Sequence, residues 1–149
     1  MQILCGAGLD NAVDISPLVE TLRSKDAVAR RRAREQLVMA GRVAVRPLLE
    51  LLHDHKPHVR WEAAKALASI GDPKTASALA EVVEEDDEFD VRWVAGEGLI
   101  AMGPEGLRAL LGALARRPSS ATLQEGAHHV CHHLSKRRMF AQIVAPVLA

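Results

Sequence analysis

"AREQLVMAG" at 33–41, "AAKALASIG" at 63–71 and "AGEGLIAMG" at 95–103 lie over one another with alanine, leucine and glycine in common positions. The matches are Ala33, Ala63 and Ala95, then Leu37, Leu67 and Leu99, then Gly41, Gly71 and Gly103. The interval is 30 residues (33 to 63) and then 32 (63 to 95). An Ala-x3-Leu spacing puts both side chains on one face of a helix, one turn apart. A glycine closing such a pattern suits the left-handed backbone that stops a helix. The tripeptide "VRW" stands before two of the copies, at 59–61 and 91–93, with "ARR" at 29–31 in the equivalent place of the first.

A second motif alternates with this one. "SPLVETL" at 16–22, "RPLLELL" at 46–52, "SALAEVV" at 77–83 and "RALLGAL" at 108–114 share a single apolar spacing. Each unit therefore reads as a helix, a short polar loop, a second helix and a stop. Asp72 followed by Pro73 reads as an N-cap and a first-turn proline opening the next helix. No segment alternates in the manner of a strand. Such pairs can bury their apolar faces only on their neighbours, which makes a stack. The expected fold is all-α: a right-handed α-solenoid of about four antiparallel helix pairs with a truncated fifth. It is expected as one repeat domain over 1–149, with units at about 14–41, 42–71, 72–103 and 104–135 and a partial fifth at 136–149. "IVAPVLA" at 143–149 restates "VRPLLEL", with Pro146 in the place of Pro47, so further repeats or another subunit are expected to cover that end.

Composition agrees. The 149 residues are 48% hydrophobic but only 3% aromatic, with no tyrosine, so leucine, valine, isoleucine and alanine must build the core. That mixture favours close-packed helices over strands. Nineteen basic side chains balance nineteen acidic ones, which withdraws the simple electrostatic case for nucleic acid. The basic runs "RRRAR" at 30–34 and "KRR" at 136–138 lack interleaved aromatics. Two cysteines, Cys5 and Cys131, cannot form a disulfide framework, and no apolar run is long enough to span a bilayer. The opening "MQILCGAG" lacks a basic start and an adequate apolar stretch, so the expected location is cytoplasmic, with no membrane partner.

Asp26, Asp54 and Asp87 each precede a Val-Arg or Ala-Arg pair, followed by the alanine and leucine of the repeat. This arrangement resembles the short HEAT-like repeats of the phycobilisome-lyase type, over essentially the whole chain. The resemblance implies ladders of aspartate and arginine between successive repeats, which gives Arg30, Arg60 and Arg92, with Asp26, Asp54 and Asp87, a structural role. In this light "EEDDEFD" at 84–90 is a solvated loop with one ladder aspartate. Proteins built this way include adaptors, chromophore lyases, DNA-repair proteins and metal-dependent hydroxylases, so the repeat type alone does not select a function.

The resemblance also implies that the second helix of each pair lines the concave side. That wall is expected to carry Arg31, Arg34 and Glu35, then Trp61 and Lys65, then Trp93, Glu97 and Ile100, then Glu125, His128, His129 and His132. The two tryptophans are expected side by side at its centre, as anchors for a bound segment. Gly96 and Gly98 cost a helix about 1 kcal/mol each against alanine, which points either to tight packing between repeats or to room beside Trp93. "EGAHHVCHHL" at 125–134 continues the repeat, with Ala127 and Cys131 on the apolar stripe of Leu123, Val130 and Leu134. Cys131 thus reads as a buried small hydrophobe in a leucine position. On the opposite half of the helix, His128 with His132 and His129 with His133 are i, i+4 pairs, a spacing that allows two imidazoles to reach one metal ion. A third ligand is missing: His53, His55 and His58 lie two repeats earlier, some 20 Å away at ordinary helix spacing.

No nucleophile elbow, phosphate loop or acid–base carboxylate pair is present, so no catalytic residue and no cofactor are assigned. The expected function is a non-catalytic scaffold whose concave face binds a protein or peptide through Trp61, Trp93, Arg31, Arg34, Lys65, Glu97, His128, His129 and His132. A metal-dependent or chromophore-lyase-type protein with a site at 128–133 is the alternative, and a DNA-binding clamp the second; against the clamp, the inner wall mixes charge signs.

Overall fold

The computed structural model describes residues 13–137, together with Gln142, Ala145 and Pro146. The expected half-repeat at 136–149 therefore lies almost wholly outside the described residues. Eight α-helices follow one another: α1 Ser16–Thr21, α2 Ala27–Ala40, α3 Arg42–Leu51, α4 Pro57–Ile70, α5 Ala76–Glu85, α6 Phe89–Met102, α7 Pro104–Arg116 and α8 Ala121–Ser135. Among the described residues there is no strand, and no helix is long and apolar enough to cross a membrane. The helices form a solenoid in two layers, with α1, α3, α5 and α7 in one and α2, α4, α6 and α8 in the other. Consecutive second helices pack on one another throughout, whereas α3 and α5 of the other layer barely touch. The second-helix layer is therefore continuous from α2 to α8.

Local chemistry sets the helix ends. The Asp26 carboxylate accepts hydrogen bonds from the Val28 and Ala29 backbone N–H groups, and the Ser120 hydroxyl accepts from Leu123. Pro57 and Pro104 open α4 and α7, where a missing N–H costs nothing. Asp72 caps a single 3-10 turn, Pro73–Thr75, that leads into α5. Gly41, Gly71 and Gly103 have φ of 63°, 67° and 61°, a region that side chains with a Cβ disfavour. At Gly41 and Gly103 one residue alone separates two helices.

The repeated apolar positions form the core. Ala33, Ala63, Ala95 and Ala127 are at most 3% exposed, and Leu37, Leu67, Leu99 and Cys131 are fully buried. Burial pushes the Cys131 thiol above its ordinary pKa, so it stays protonated and inert. Glycines set how closely the helices approach. A Cβ on Gly98 would stand 2.9 Å from the Ala68 Cβ of α4, and one on Gly106 would stand 2.0 Å from the Leu99 carbonyl oxygen of α6. Gly98 is therefore a packing residue. Gly96 differs, since a Cβ there meets nothing nearer than His129 at 3.8 Å.

Along the loop edge, one arginine per repeat repeats the same bonds. Arg30 donates to the Ser24 and Lys25 carbonyls, Arg60 to those of Asp54 and His55, and Arg92 to those of Asp86 and Asp87. The carboxylates that join repeats differ in part from the expected set. Asp26 bridges nothing; it caps its own helix. Counting back six residues from each arginine reaches Ser24, Asp54 and Asp86, so Asp86 is the repeat equivalent of Asp54. Arg60 holds both Asp86 oxygens, at 2.8 and 3.0 Å, and Asp87 joins through one oxygen at 2.7 Å. Asp54 accepts from Arg23 at 3.0 Å and not from Arg30. Burial alone would raise the Asp54 carboxyl, but the Lys56 N–H and the Arg23 guanidinium outweigh it and hold it below the usual range. Its contribution to stability is therefore present above the unfolded pKa, near about pH 4, and is lost as the pH falls through the folded value. Arg30, displaced from Asp54, turns with Arg34 onto the carboxylate of Glu62, which is 5% exposed.

Two outcomes follow for thermal unfolding followed by circular dichroism. Gly106→Ala, driven into backbone, should cost at least about 3 kcal/mol, whereas Gly96→Ala should gain up to about 1 kcal/mol of helix propensity; equal effects would contradict the packing described. Glu62→Gln removes the charge that two largely buried guanidinium groups share, and should cost about 3 kcal/mol. A loss below about 1 kcal/mol would show that the cluster is screened by water.

Candidate functional site

Two i, i+4 stripes face each other across the groove between α6 and α8. On α6 the stripe is Phe89, Trp93 and Glu97; on α8 it is Glu125, His129 and His133. Repetition brings them together: Glu97 and His129 are 32 residues apart, one repeat, and the His129 Nε2 lies 2.9 Å from a Glu97 carboxylate oxygen. The His129 ring is 4.1 Å, centroid to centroid, from Trp93 and tilted by 39°. The Phe89 ring lies 5.9 Å from the indole, centroid to centroid. The result is an aromatic ledge, with Trp93 46% and Phe89 53% exposed.

Below the ledge lies a cleft of about 110 Å³, whose lining is mostly apolar. Besides Phe89, Trp93 and His129, it is lined by Val83, Gly96 and Gly126 and by the polar side chains of Arg92, Thr122 and Glu125. The absence of a side chain at Gly126 is obligatory, because a Cβ would stand 2.2 Å from Val83 Cγ1. Thr122 is fixed by its hydroxyl donating to the Glu84 carbonyl at 2.8 Å. Arg92 lies 5.8 Å from the Phe89 ring and donates only to backbone carbonyls. Among the described residues it forms no ion pair with a carboxylate.

The other expected wall residues fall outside this cleft. Trp61 is half-buried against the core with Arg34 stacked 5.3 Å over its ring, and it lines a separate cleft with Arg30, His58 and Glu88. The two indoles thus line different clefts, Trp61 half-buried under Arg34 and Trp93 exposed at the groove between α6 and α8. Arg34 is engaged by Glu62, and Arg31 by Glu35 at 3.0 Å on an exposed helix face. Lys65 is half-buried on α4, with no ion pair among the described residues. His128 and His132 are exposed and stack in parallel at 6.3 Å, while His133 meets His129 edge-on at 4.7 Å. Among the described residues no group of three or more histidine, cysteine or acidic side chains is placed to hold a metal ion. Phe89 and Arg92 are, with Val83, Thr122 and Gly126, the cleft residues that the sequence reading does not single out for binding. Phe89 stands one turn before Trp93, in a run that reads as loop.

A family model described as HEAT repeats matches residues 15–100. Phycocyanobilin lyase subunit beta of Pseudanabaena tenuis (strain PCC 7409) is 38% identical over 102 residues, which is 68% of this chain and 36% of that protein. The chain thus spans about a third of its relative's length. A chain from the solved complex of CpcE and CpcF of phycocyanin lyase from Nostoc sp. PCC7120 superposes with a TM-score of 0.69 at 22% identity, covering 92% of this chain and 87% of that one. At that identity the likeness concerns the fold. These relatives correct the functional expectation: a non-catalytic peptide-binding scaffold is overturned, because the curated relative is a lyase subunit, and the chromophore-lyase alternative is the better supported. With the matched model covering more than half of its residues, the chain belongs to the HEAT-repeat family, and its repeats are of the phycobilisome-lyase type.

Proposed function

We propose that this chain is a chromophore-lyase-type HEAT-repeat module that seats one end of a linear tetrapyrrole in the Trp93 cleft while a second protein chain closes over the remainder. The observation that carries the reading is the 38% identity over 102 residues with a phycocyanobilin lyase subunit. The cleft supplies suitable chemistry. Trp93 and Phe89 are exposed aromatic side chains available to a flat conjugated ligand, and such contacts stabilise by more than their buried area alone. His129, oriented by Glu97, completes the ledge with a polar edge. Glu125, which lines the cleft, offers a carboxylate to ring N–H donors.

Size decides how much of the ligand this chain can hold. Sites that enclose ligands of this class run to roughly 300–1,000 Å³, and the cleft has about 110 Å³. One ring and its substituents fit; the rest must lie across the open helix layer. A second chain is the natural cover, and the superposed relative comes from a complex of two named chains. Catalysis on this reading rests on holding the chromophore in a reactive orientation rather than on a nucleophile of the module's own.

Titration with phycocyanobilin, followed by tryptophan quenching and the visible absorption band, tests the reading. Saturable binding is expected, with Trp93→Ala weakening it about tenfold, the equivalent of about 1.4 kcal/mol. Trp61→Ala should lower stability more than affinity. Absence of saturable binding, or a Trp93→Ala variant that binds as well as wild type, would contradict the assignment.

A further inference from the structure

The ladder arginines differ in one respect that the repeat makes visible. Arg60 and Arg92 occupy the same position one repeat apart and make the same backbone bonds, to carbonyls six and five residues earlier. Arg60 then spends its remaining donors, Nε and Nη2, on the Asp86 carboxylate of the following loop, with Asp87 beside it. Advancing Asp86 and Asp87 by the same 32 residues arrives at Pro118 and Ser119, which carry no carboxylate. Arg92 is therefore held in place by its Nη1 bonds, while its Nε and Nη2 are committed to no carboxylate among the described residues. Arg92 is also one of the residues that line the Trp93 cleft.

We infer that Arg92 binds a carboxylate of the ligand seated on Trp93, in the place that Asp86 occupies on Arg60. The ligand class is a planar conjugated molecule bearing a carboxylate side chain, and for the tetrapyrrole of the preceding section that group is a propionate. The inference rests on that reading and adds the group that sets the ligand's orientation. A guanidinium already fixed through one nitrogen offers Nε and Nη2 as a preorganised fork for a carboxylate. Phe89, 5.8 Å from the guanidinium carbon, shields it from water on one side. Glu125 also lines the cleft but makes no ion pair with Arg92, so it leaves the fork uncovered.

The experiment compares binding of phycocyanobilin and its dimethyl ester to wild type, Arg92→Met and Arg92→Lys, and reads the ratio of the two affinities within each protein. A charged hydrogen-bonded pair of this kind corresponds to about a ten- to hundredfold preference. Wild type should favour the free acid by that factor, Arg92→Met should bind acid and ester equally, and Arg92→Lys should keep part of the preference. Any general loss of folding in a variant cancels in the ratio. A preference that survives in Arg92→Met, or that is absent from wild type, overturns the inference. Failure of wild type to bind either compound overturns the chromophore reading and this inference together, whereas equal binding of both by wild type overturns this inference alone.

Discussion

Helix α6 packs against α4, α5, α7 and α8, and it does so at distances that leave no room for side chains at two points. Gly98 meets Ala68 of α4, and Leu99 meets Gly106 of α7, with main chain pressed almost on main chain. Contacts of that kind cannot slide, because a shift along either helix would bring a Cβ into a carbonyl. They lock the translation of one repeat relative to the next. Once translation is locked, positions one repeat apart are brought to neighbouring places on the second-helix layer, as Glu97 and His129 are. The cleft follows from that register and from no special loop.

The polar edge of the stack obeys the same rule and ends at the same place. Arginines at equivalent positions brace each loop through carbonyl bonds, and a carboxylate from the next repeat covers the exposed side of Arg60. At Arg92 the next loop supplies proline and serine, and the ladder stops. There the open aromatic ledge also begins, with Phe89 and Trp93 exposed. On the proposed reading, structural and ligand-facing roles are successive uses of one repeated geometry, and the change from one to the other is made by a few substitutions in a single loop.

The Ala-x3-Leu-x3-Gly repeat carried the fold almost by itself, because every member of it is fixed by packing or by positive φ. Cys131 was readable as core for the same reason: it stands where Leu37, Leu67 and Leu99 stand. The ladder is legible only in part: Asp54 and Asp87 join repeats through Arg23 and Arg60, but Asp86 holds Arg60 more fully and Asp26 caps its own helix. The interval between repeats changes from 30 to 32 residues in the loops, so aspartates chosen for lying near a Val-Arg or Ala-Arg pair, Asp26 and Asp87 among them, are not equivalent to Asp54. Distance back from the arginine, which is set by its own carbonyl bonds, would have selected Asp86. The tryptophans occupy one repeat position yet differ in exposure, because Arg34 and Glu62 build a cluster around Trp61 that has no counterpart at Trp93. Phe89 escaped notice because its neighbours are acidic, although its spacing to Trp93 is one helical turn. Function is least visible, since the proposed role of holding a ligand requires no nucleophile or metal motif that a sequence would display.

A crystal structure of the chain with phycocyanobilin bound would test the account most directly. The account places one ring of the chromophore against Trp93 and His129, in the groove between α6 and α8. A chromophore lying on the outer layer formed by α3, α5 and α7, or beside Trp61, would contradict it.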